Sequence, residues 1–340
     1  VKGVAVIGLY ILCNLCKSVI SDFLVPDMGV FYVKRYVKAG LQIIKKYDIK
    51  NVLVTSPPHS NQLVGLKFKK TLKTNINCIV DYRDSWNFRG VFKKNNLLTQ
   101  KLNEKYEKGV LKKCDYFLYV SVPILKKINS NDFDITSKSL LVMNGFDITM
   151  ANENKPTSHR KNYILTLGYF GSISDLSNSI TNPERLFRAV MKFDIEIKMH
   201  FYGNSIINRE WVDKLGDAME VNGSVSHQKA LELMKEMDLL MVIYSEVDGA
   251  DEVITGKLFD YMLAEKPILV VGPKNMEAAR LVKEHQLGYC ADIYNEEDIL
   301  NTFHCIYKDW QNDNLISYSL NDVKDFSRQH QYKKLLDILK

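Results

Sequence analysis

The sequence predicts an α/β protein made of two Rossmann-like domains that face each other across a cleft. Short apolar runs rich in β-forming residues alternate along the chain with segments of helical period, which is the pattern of parallel sheets with crossover helices. The chain of 340 residues is also long for a single hydrophobic core. The predicted strands are 51–56, 78–82, 116–121 and 139–144 in the first domain, and 163–171, 197–203, 238–244 and 267–271 in the second.

A polar stretch separates the two sets of strands. Residues 151–162 are polar and include Pro156, which is typical of a linker. We therefore assign 1–155 to the first domain and 156–316 to the second, followed by a C-terminal helix at 317–340 that could cross back to the first domain.

Positive charge is concentrated in the first part of the chain. Residues 1–150 contain 24 lysines and arginines against 11 acidic residues, a net charge of +13, whereas residues 151–340 carry −7. This asymmetry suits a solvated face or an anionic membrane surface. A nucleic-acid partner is not expected, because the sequence has no zinc-finger spacing, no basic zipper and no aromatic RNA-binding pattern.

The apolar run at residues 4–16 lacks the features of a membrane span or a redox centre. It spans 13 residues, against the roughly 20 that cross a bilayer, and is expected to be a core helix. Cys13 and Cys16 have no second pair that would complete a zinc site, and the six cysteines are expected to be free thiols of a reducing cytoplasm. The chain opens with valine and has no signal-peptide cleavage pattern, which suggests a fragment or a processed chain.

Polar and glycine residues recur where the predicted strands end. Ligands of open parallel sheets bind beyond the carboxyl ends of the strands, so these positions are the candidate sites. They are 56–60, 81–84 and 144–145 in the first domain, and 168–172, 202–204 and 251–271 in the second.

The segment 251–271, DEVITGKLFDYMLAEKPILVV, combines a helix start with two acids. A helix that begins near Thr255 leaves its first amides unpaired, and Gly256 has no side chain to keep an anion away from them. Lys257 in the first turn disfavours the helix unless an anion lies nearby, although a solvent-facing lysine is the alternative. Glu252 and Asp260 lie ~12 Å apart at an axial rise of about 1.5 Å per residue, and their carboxylates suit sugar hydroxyl groups.

Five ordered segments together resemble the retaining glycosyltransferases of the GT-B fold, in particular family 4. The family's motif, an acid followed by seven residues and a second acid, is matched by Glu252 and Asp260. The other segments are TSPPHSNQLVGLKFKK (55–70), VDYRDSW (80–86), VMNGFD (142–147) and LGYFGSIS (167–174), and SVSHQKALELMKEMDLLMVIY (224–244) is typical of the unit before the motif. The resemblance extends over nearly the whole chain from residue 26 onwards.

The resemblance implies a nucleotide-sugar donor, such as a UDP- or GDP-sugar, held mainly by the second domain. Asp260 would bind the ribose, Glu252 the transferred sugar, and Lys257 with the first helix amides the diphosphate. The donor-binding residues implied in all are Gly171, Ser172, Tyr202, Gly203, Thr255, Gly256, Lys257 and Asp260.

The resemblance also implies catalytic and acceptor-side residues. Arg83 and Asp84 of the first domain would face the donor sugar and act with Glu252 in catalysis, while Pro58 and His59 would lie on the acceptor side. In this family retention is explained by front-face attack, in which a donor phosphate oxygen takes the acceptor's proton, so no protein nucleophile is required.

Three features depart from the family pattern. Asp260 is one methylene shorter than the usual glutamate, and Thr181 stands near the place of a basic residue that follows the glycine-rich turn. No segment before Pro26 resembles the first strand and glycine-rich loop of the family, so we expect the N-terminal domain to be incomplete.

The other candidate sites are weaker. Asp132 and Asp134 form a D-x-D, a metal-nucleotide signature of a different glycosyltransferase fold that is more often a polar turn. His59 and His227 are more often capping or packing residues than ligands. No cluster has metal-ligand spacing, so we expect a metal-independent enzyme without a cofactor.

The sequence thus predicts a cytoplasmic hexosyltransferase acting on a glycan or lipid-linked acceptor in bacterial surface polysaccharide biosynthesis, with its basic first domain peripherally docked on an anionic membrane. Two alternatives remain open: a sugar-nucleotide 2-epimerase of the same fold, and a catalytically degenerate partner subunit that binds no donor. A NAD-dependent oxidoreductase is disfavoured, because no G-x-G-x-x-G follows a predicted strand.

Overall fold

The computed structural model of the chain describes residues 23–87, 96–130, 133–150, 162–247 and 249–339. The chain divides into two compact units, the first ending at Val142 and the second beginning at Met143. The N-terminal apolar run with Cys13 and Cys16, most of the predicted linker, and Asp132 lie outside the described residues.

The first unit is built on a four-stranded parallel sheet. Its strands are paired in chain order: β1 (Asn51–Ser56), β2 (Asn77–Tyr82), β3 (Tyr116–Tyr119) and β4 (Ser139–Leu141). The helices of this unit are α1 (Val33–Tyr47), α2 (Ser60–Leu72), α3 (Leu97–Lys113) and α4 (Val122–Ile128). After its first residue β2 is buried throughout, as expected for a parallel strand that is covered on both faces.

The second unit contains a six-stranded parallel sheet in which the chain order reverses. In spatial order the strands are β12 (Gly288–Asp292), β11 (Ile268–Gly272), β10 (Leu239–Ile243), β5 (Leu165–Phe170), β7 (Ile197–Tyr202) and β9 (Met219–Asn222). The chain runs from β5 outwards through β7 to β9, and then returns to the other side of β5 with β10. A short ribbon of β6 (Ile173–Ser174) and β8 (Ser205–Ile206) follows β5 and β7.

Helices cover this second sheet and enclose its core. They are α5 (Glu184–Val190), α6 (Arg209–Leu215), α7 (His227–Glu236), α8 (Gly256–Leu263), α9 (Glu277–Glu284) and α10 (Glu296–Gln311). The last helix of the unit, α11 (Arg328–Ile338), follows them in the chain. Phe187 of α5, Phe201 of β7 and Phe303 of α10 are buried in one apolar cluster. Every residue of β10 and β11 is buried, which explains why both strands are continuous apolar runs in the sequence.

All eight strands predicted from the sequence are present, with ends that shift by up to three residues. The prediction missed β9 and β12, together with the two-residue strands β6 and β8. β9 and β12 are the two edges of their sheet, and both contain residues that are not buried. An edge strand needs fewer apolar residues than a central one, so the runs MEVN and GYCAD lack the pattern that identified the others.

The segment after β4 is held by the C-terminal part of the chain. Met143 donates its backbone N–H to the side-chain oxygen of the buried Gln331 at 2.9 Å. Phe146 bonds through its N–H to Phe326 at 3.2 Å and through its carbonyl to Arg328 at 2.8 Å. These bonds place residues 143–147 in the second unit, whereas the sequence placed the domain boundary after residue 155.

The last helix is shorter than the predicted segment 317–340. It begins at Arg328, and a turn precedes it in which the Asp322 carboxylate accepts hydrogen bonds from the N–H and the hydroxyl of Ser319, at 2.8 and 2.7 Å. Aspartate and serine side chains that bond to nearby backbone compete with helix formation, which explains the later start.

We predict that Gly145→Ala destabilises the protein. A Cβ at position 145 would lie 2.6 Å from the carbonyl oxygen of Phe326 and 2.8 Å from the backbone nitrogen of Arg328, so the backbone must shift. Such overpacking typically costs about 1–3 kcal/mol, measurable as a lower thermal midpoint in calorimetry. Gly109 in α3 is the matched control, because no described atom beyond its own helix lies within 4 Å of its Cβ position and alanine there favours the helix. Equal midpoints for the two variants would contradict the prediction.

Candidate functional site

The second sheet has a topological switch point between β5 and β10. The connection after β5 leads to β7 on one side, whereas the connection after β10 leads to β11 on the other side. Ligands of open parallel sheets bind in the crevice that such diverging connections leave beyond the carboxyl ends of the strands. The residues that the sequence assigned to the donor all lie at the ends of β5 and β7 or in the connection after β10.

Two glycine turns stand side by side at the ends of β5 and β7. Gly171 (φ 141°) and Gly203 (φ 130°) adopt backbone angles that other residues rarely adopt. The N–H of Gly171 donates to the carbonyl of Tyr202 at 2.8 Å, and a Cβ on Gly203 would lie 2.5 Å from the carbonyl oxygen of Gly171. The two turns are therefore in backbone contact, and neither position tolerates a side chain without a shift.

Helix α8 begins at the crevice with the residues predicted to bind phosphate. Thr255 precedes the helix with extended backbone angles, and its hydroxyl lies 3.3 Å from the hydroxyl of Tyr244, which follows β10. Gly256 is the first helical residue and is exposed, and within the described chain its Cβ position is surrounded by open space. The predicted helix start is confirmed, and its backbone is accessible.

Lys257 reaches from the first turn of α8 to the turn after β5. Its ammonium donates a hydrogen bond to the Tyr169 hydroxyl at 2.6 Å and lies 4.0 Å from the centre of the Tyr169 ring. A Cβ on Gly171 would lie 2.9 Å from Lys257 Nζ, so a larger residue at position 171 would displace the ammonium. Lys257 thus connects the two sides of the switch point.

The side chain of Lys257 is desolvated, and among the described residues no acidic group compensates its charge. Burial lowers the pKa of this lysine from 10.5 to about 7. Among the residues that the structure describes, no carboxylate forms an ion pair with it. A desolvated cation without a counter-ion is unfavourable until an anion joins it. The end of β5 therefore has the electrostatic character of an anion site.

The two acids of the motif have different surroundings. Glu252 is only 3% exposed and ends a short 3-10 turn just before α8. Asp260, in the second turn of α8, lies with its Oδ2 3.3 Å from Nε2 of His227, the first residue of α7. Burial raises the pKa of Asp260, and His227 opposes that shift. Asp260 is thus paired with α7, which leaves the charge of Lys257 uncompensated.

Stacked aromatic rings line the ends of β5 and β7. The ring of Tyr202 lies 4.8 Å from that of Phe170 at an angle of 9°, and 6.2 Å from that of His200 at 11°. The carbonyl of Ser172 accepts a hydrogen bond from the Tyr169 hydroxyl at 2.8 Å. The predicted donor residues Ser172 and Tyr202 therefore lie beside the glycine turns, as part of a rigid local structure.

In the first unit, Arg83 follows β2 and is held by its own domain. Its N–H donates to the carbonyl of Ser56 at 3.0 Å, which joins the ends of β1 and β2. Its side chain donates to the Asp81 carboxylate at 3.0 Å and to the carbonyl of Val142 at 3.2 Å. Burial raises the pKa of Asp81, and the guanidinium of Arg83 opposes that shift.

The predicted acceptor-side residues follow β1, next to this arginine. The imidazole of His59 is buried, stacks on Trp86 at 5.3 Å and meets Tyr82 edge-on at 5.9 Å. Burial lowers the pKa of His59 to about 4, so the ring is neutral at physiological pH. Pro58 precedes His59 in the same turn, and Asp84 follows Arg83. The catalytic and acceptor-side roles of these residues remain predictions.

Three further residues contribute to this geometry although none was predicted to bind the donor: Tyr169, within the candidate strand end 168–172, Tyr244 and His227. Tyr169 occupies an apolar strand, and its sequence pattern predicts core packing without showing where its hydroxyl points. Tyr244 ends another apolar run, and the sequence context of His227 predicts a packing or capping residue. In the sequence, only the predicted ends of strands and helices point to these three residues, because each of them acts through a partner distant in the chain.

Of the two acids of the D-x-D motif, the structure describes Asp134, which has a local structural role. Asp134 accepts hydrogen bonds from the N–H and the hydroxyl of Thr136 at 2.8 and 2.6 Å, as in a polar turn. Within residues 23–339, leaving aside the segments not described, no three His, Cys, Asp or Glu side chains are grouped so that they could hold a metal ion.

No protein-family model matches the sequence, and a search of curated proteins also finds no match. Solved structures are similar to it. The apo form of WaaB, a lipopolysaccharide outer core galactosyltransferase, has a TM-score of 0.65 at 13% identity, over 92% of this chain and 81% of WaaB. A glycosyltransferase from Rickettsia africae has a TM-score of 0.66 at 14% identity, over 91% of this chain and 80% of its own.

A third similar structure contains a nucleotide. HepE from Anabaena in complex with UDP has a TM-score of 0.64 at 13% identity, over 89% of this chain and 81% of HepE. HepE in complex with UDP-glucose is also similar, with a TM-score of 0.60. At these low identities the similarity concerns the fold. The chain therefore has the GT-B fold, an α/β architecture with two Rossmann-like domains, as the sequence predicted.

Proposed function

We propose that this protein is a retaining glycosyltransferase that moves a hexose-type sugar from a nucleotide-sugar donor to a glycan or lipid-linked acceptor. The observation that carries the proposal is the desolvated ammonium of Lys257, which lies at the switch point beside a glycine turn and, among the described residues, has no carboxylate partner. The diphosphate of such a donor is an anion that fits this position. The structures of HepE with UDP and UDP-glucose support a nucleotide sugar as the ligand.

In this proposal the diphosphate binds between the Gly171 turn and the start of α8. The first amides of the helix are available to phosphate oxygens, and the exposed Gly256 permits close approach. Lys257 supplies the positive charge. Asp260 accepts hydrogen bonds from the ribose and Glu252 from the transferred sugar, because carboxylates are pure acceptors.

The same arrangement suits the chemistry of transfer. As the bond between the anomeric carbon and the phosphate oxygen breaks, negative charge grows on the departing diphosphate. The ammonium of Lys257 and the helix amides are already oriented, so they stabilise this charge more strongly in the transition state than in the ground state. A phosphate oxygen then takes the proton of the acceptor hydroxyl, which attacks from the same face, and the configuration is retained.

We further propose that the reaction is metal-independent, since the lysine supplies the charge that a divalent ion supplies in other transferases. In the first unit, Arg83 and Asp84 are the proposed catalytic partners of Glu252, with Pro58 and His59 on the acceptor side. Arg83 is suited to a fixed contact, because Asp81 and the Val142 carbonyl hold its guanidinium in one orientation.

Thermal-shift measurements with a panel of UDP- and GDP-sugars test the proposed donor site. We expect one donor at 100 times its Kd to stabilise the wild-type protein by about 2.7 kcal/mol, and Glu252→Ala, Asp260→Ala and Lys257→Met to lose most of this effect. Without ligand, Lys257→Met should melt at or above the wild-type temperature, because it removes an uncompensated cation. That variant therefore separates loss of binding from loss of folding.

The products distinguish the functional alternatives. Donor consumption that depends on added glycan or lipid-linked acceptor supports a transferase, and a modified free nucleotide sugar formed without acceptor identifies a 2-epimerase. No stabilisation by any nucleotide sugar would contradict the proposal and favour a degenerate partner subunit.

We also propose that the first unit docks peripherally on the cytoplasmic face of an anionic membrane, as suits an enzyme of bacterial surface polysaccharide biosynthesis. No helix within the described part of the chain has the length and apolar character needed to cross a bilayer. Residues 28–47, which we call the basic aromatic segment, contain five lysines and arginines and no acid. The exposed large side chains of this segment are Met28, Phe31, Tyr32, Tyr36, Ile43 and Tyr47.

The composition of the basic aromatic segment matches a lipid headgroup region. Aromatic rings that are apolar over most of their surface and polar at one end are favoured at membrane interfaces, and lysines attract anionic lipids. Phe31 is 66% exposed and Tyr47 is 64% exposed, values that leave large apolar areas in contact with water. A membrane surface would cover both kinds of side chain at once.

Vesicle flotation tests this docking. Lys34, Lys38 and Lys45 are exposed on α1, and we expect the triple change to glutamate to weaken binding to phosphatidylserine-containing vesicles by about 100-fold or more. The matched control reverses three exposed lysines of the second unit, Lys274, Lys308 and Lys324, and should bind like the wild type. Wild-type binding that does not depend on anionic lipid would refute the docking proposal.

A further inference from the structure

The hydroxyl of Tyr169 is the centre of a hydrogen-bonded junction at the end of β5. The hydroxyl donates its only proton to the carbonyl of Ser172 at 2.8 Å. Its oxygen accepts a hydrogen bond from the ammonium of Lys257 at 2.6 Å. A phenol has one proton and two lone pairs, and these two bonds use the proton and one lone pair.

The junction gives the lysine a defined position. The Tyr169 side chain is buried in the core cluster of the second unit. Its ring lies under the ammonium, with 4.0 Å between Nζ and the ring centre, and its hydroxyl fixes one N–H direction of Lys257. The remaining N–H groups of Lys257 are then available beside Gly171, which has no side chain to intervene.

The groups around the ammonium do not cancel its charge. Tyr169 faces it from β5, and Tyr244, which follows β10, raises the pKa of the same phenol. Burial raises the pKa of Tyr169, which keeps the phenol neutral. Asp260, on the same helix as Lys257, is paired with His227. The described groups orient the cation without neutralising it.

We propose that Tyr169 is a positioning residue, whose hydroxyl, anchored on the Ser172 carbonyl, holds the Lys257 ammonium beside Gly171 for the diphosphate of the donor. This inference rests on the proposed function, since it concerns the same donor site. A carboxylate at position 169 would hold the lysine equally well but would remove the charge that attracts the phosphate. A neutral acceptor is therefore the group that this position requires.

The arrangement also makes donor binding depend on pH. The pKa of Lys257 in the empty site is about 7, and a bound diphosphate favours the protonated form. Binding therefore takes up a proton, and affinity falls as pH rises above 7, by up to about tenfold per pH unit. Lys257→Arg should remove this dependence, because a guanidinium stays charged throughout the range.

Calorimetric titration of Tyr169→Phe tests the positioning role. UDP-glucose and uridine are the probes, with GDP-mannose and guanosine as a parallel pair, because neither nucleotide sugar has a phosphate that titrates between pH 6 and 9. We expect affinity for the nucleotide sugar to fall about tenfold at pH 7, since one hydrogen bond to a charged group is lost, while affinity for the nucleoside stays unchanged. The decline with pH should also begin at a lower pH than in the wild type.

Tyr289→Phe is the matched control, because it removes a hydroxyl in the same unit that bonds to Asp309 instead of Lys257. It should bind every probe like the wild type. Two results would overturn the inference: wild-type affinity and pH profile in Tyr169→Phe, or an equal loss of nucleoside and nucleotide-sugar binding. A wild-type protein that binds neither nucleotide sugar would instead overturn the proposed function, and this inference with it.

Discussion

The pairing of β5 with β7 on one side and β10 on the other is the interaction on which the candidate site depends. Six residue pairs align β5 with β7, which brings the Gly171 and Gly203 turns into backbone contact. The pairing with β10 places the following connection, and hence α8, on the opposite side of the switch point. Because Lys257 is in the first turn of α8, its side chain can meet the end of β5. The positions of the crevice, the glycine turns and Lys257 therefore all depend on β5, whose neighbours β7 and β10 have connections that lead to opposite sides.

The electrostatics of this crevice oppose the stability of the empty protein. A desolvated ammonium held by a neutral phenol is less favourable than an ion pair or an apolar side chain in the same place. Functional sites often retain such unfavourable arrangements, which the surrounding structure supports and which ligand binding compensates. Here the support comes from a buried tyrosine, a helix start and two glycine turns. The acids of the motif do not compensate the charge of Lys257, since Asp260 is paired with His227.

The two parts of the sequence differ in charge in the way that their proposed roles require. The first 150 residues carry +13 and the remainder −7, and the basic aromatic segment is the part of this excess with exposed rings. In the second unit, the cation proposed to bind the donor is a single lysine, Lys257, beside the strand ends. A membrane surface and a diphosphate are both anionic, yet the first calls for many exposed cations and the second for one oriented cation.

The sequence by itself determined the local elements: the eight apolar strands, the helix start at Thr255 and Gly256, and the placement of polar residues at strand ends. These follow from periodicity and from backbone preferences, which act over a few residues. The tertiary structure decided which of those residues meet. It joined Tyr169 to Lys257, Asp260 to His227, and residues 143–147 to the C-terminal segment, and it added the edge strands β9 and β12. Such contacts join residues far apart in the chain, and their geometry depends on strand order and on the direction of each side chain, which no local pattern encodes.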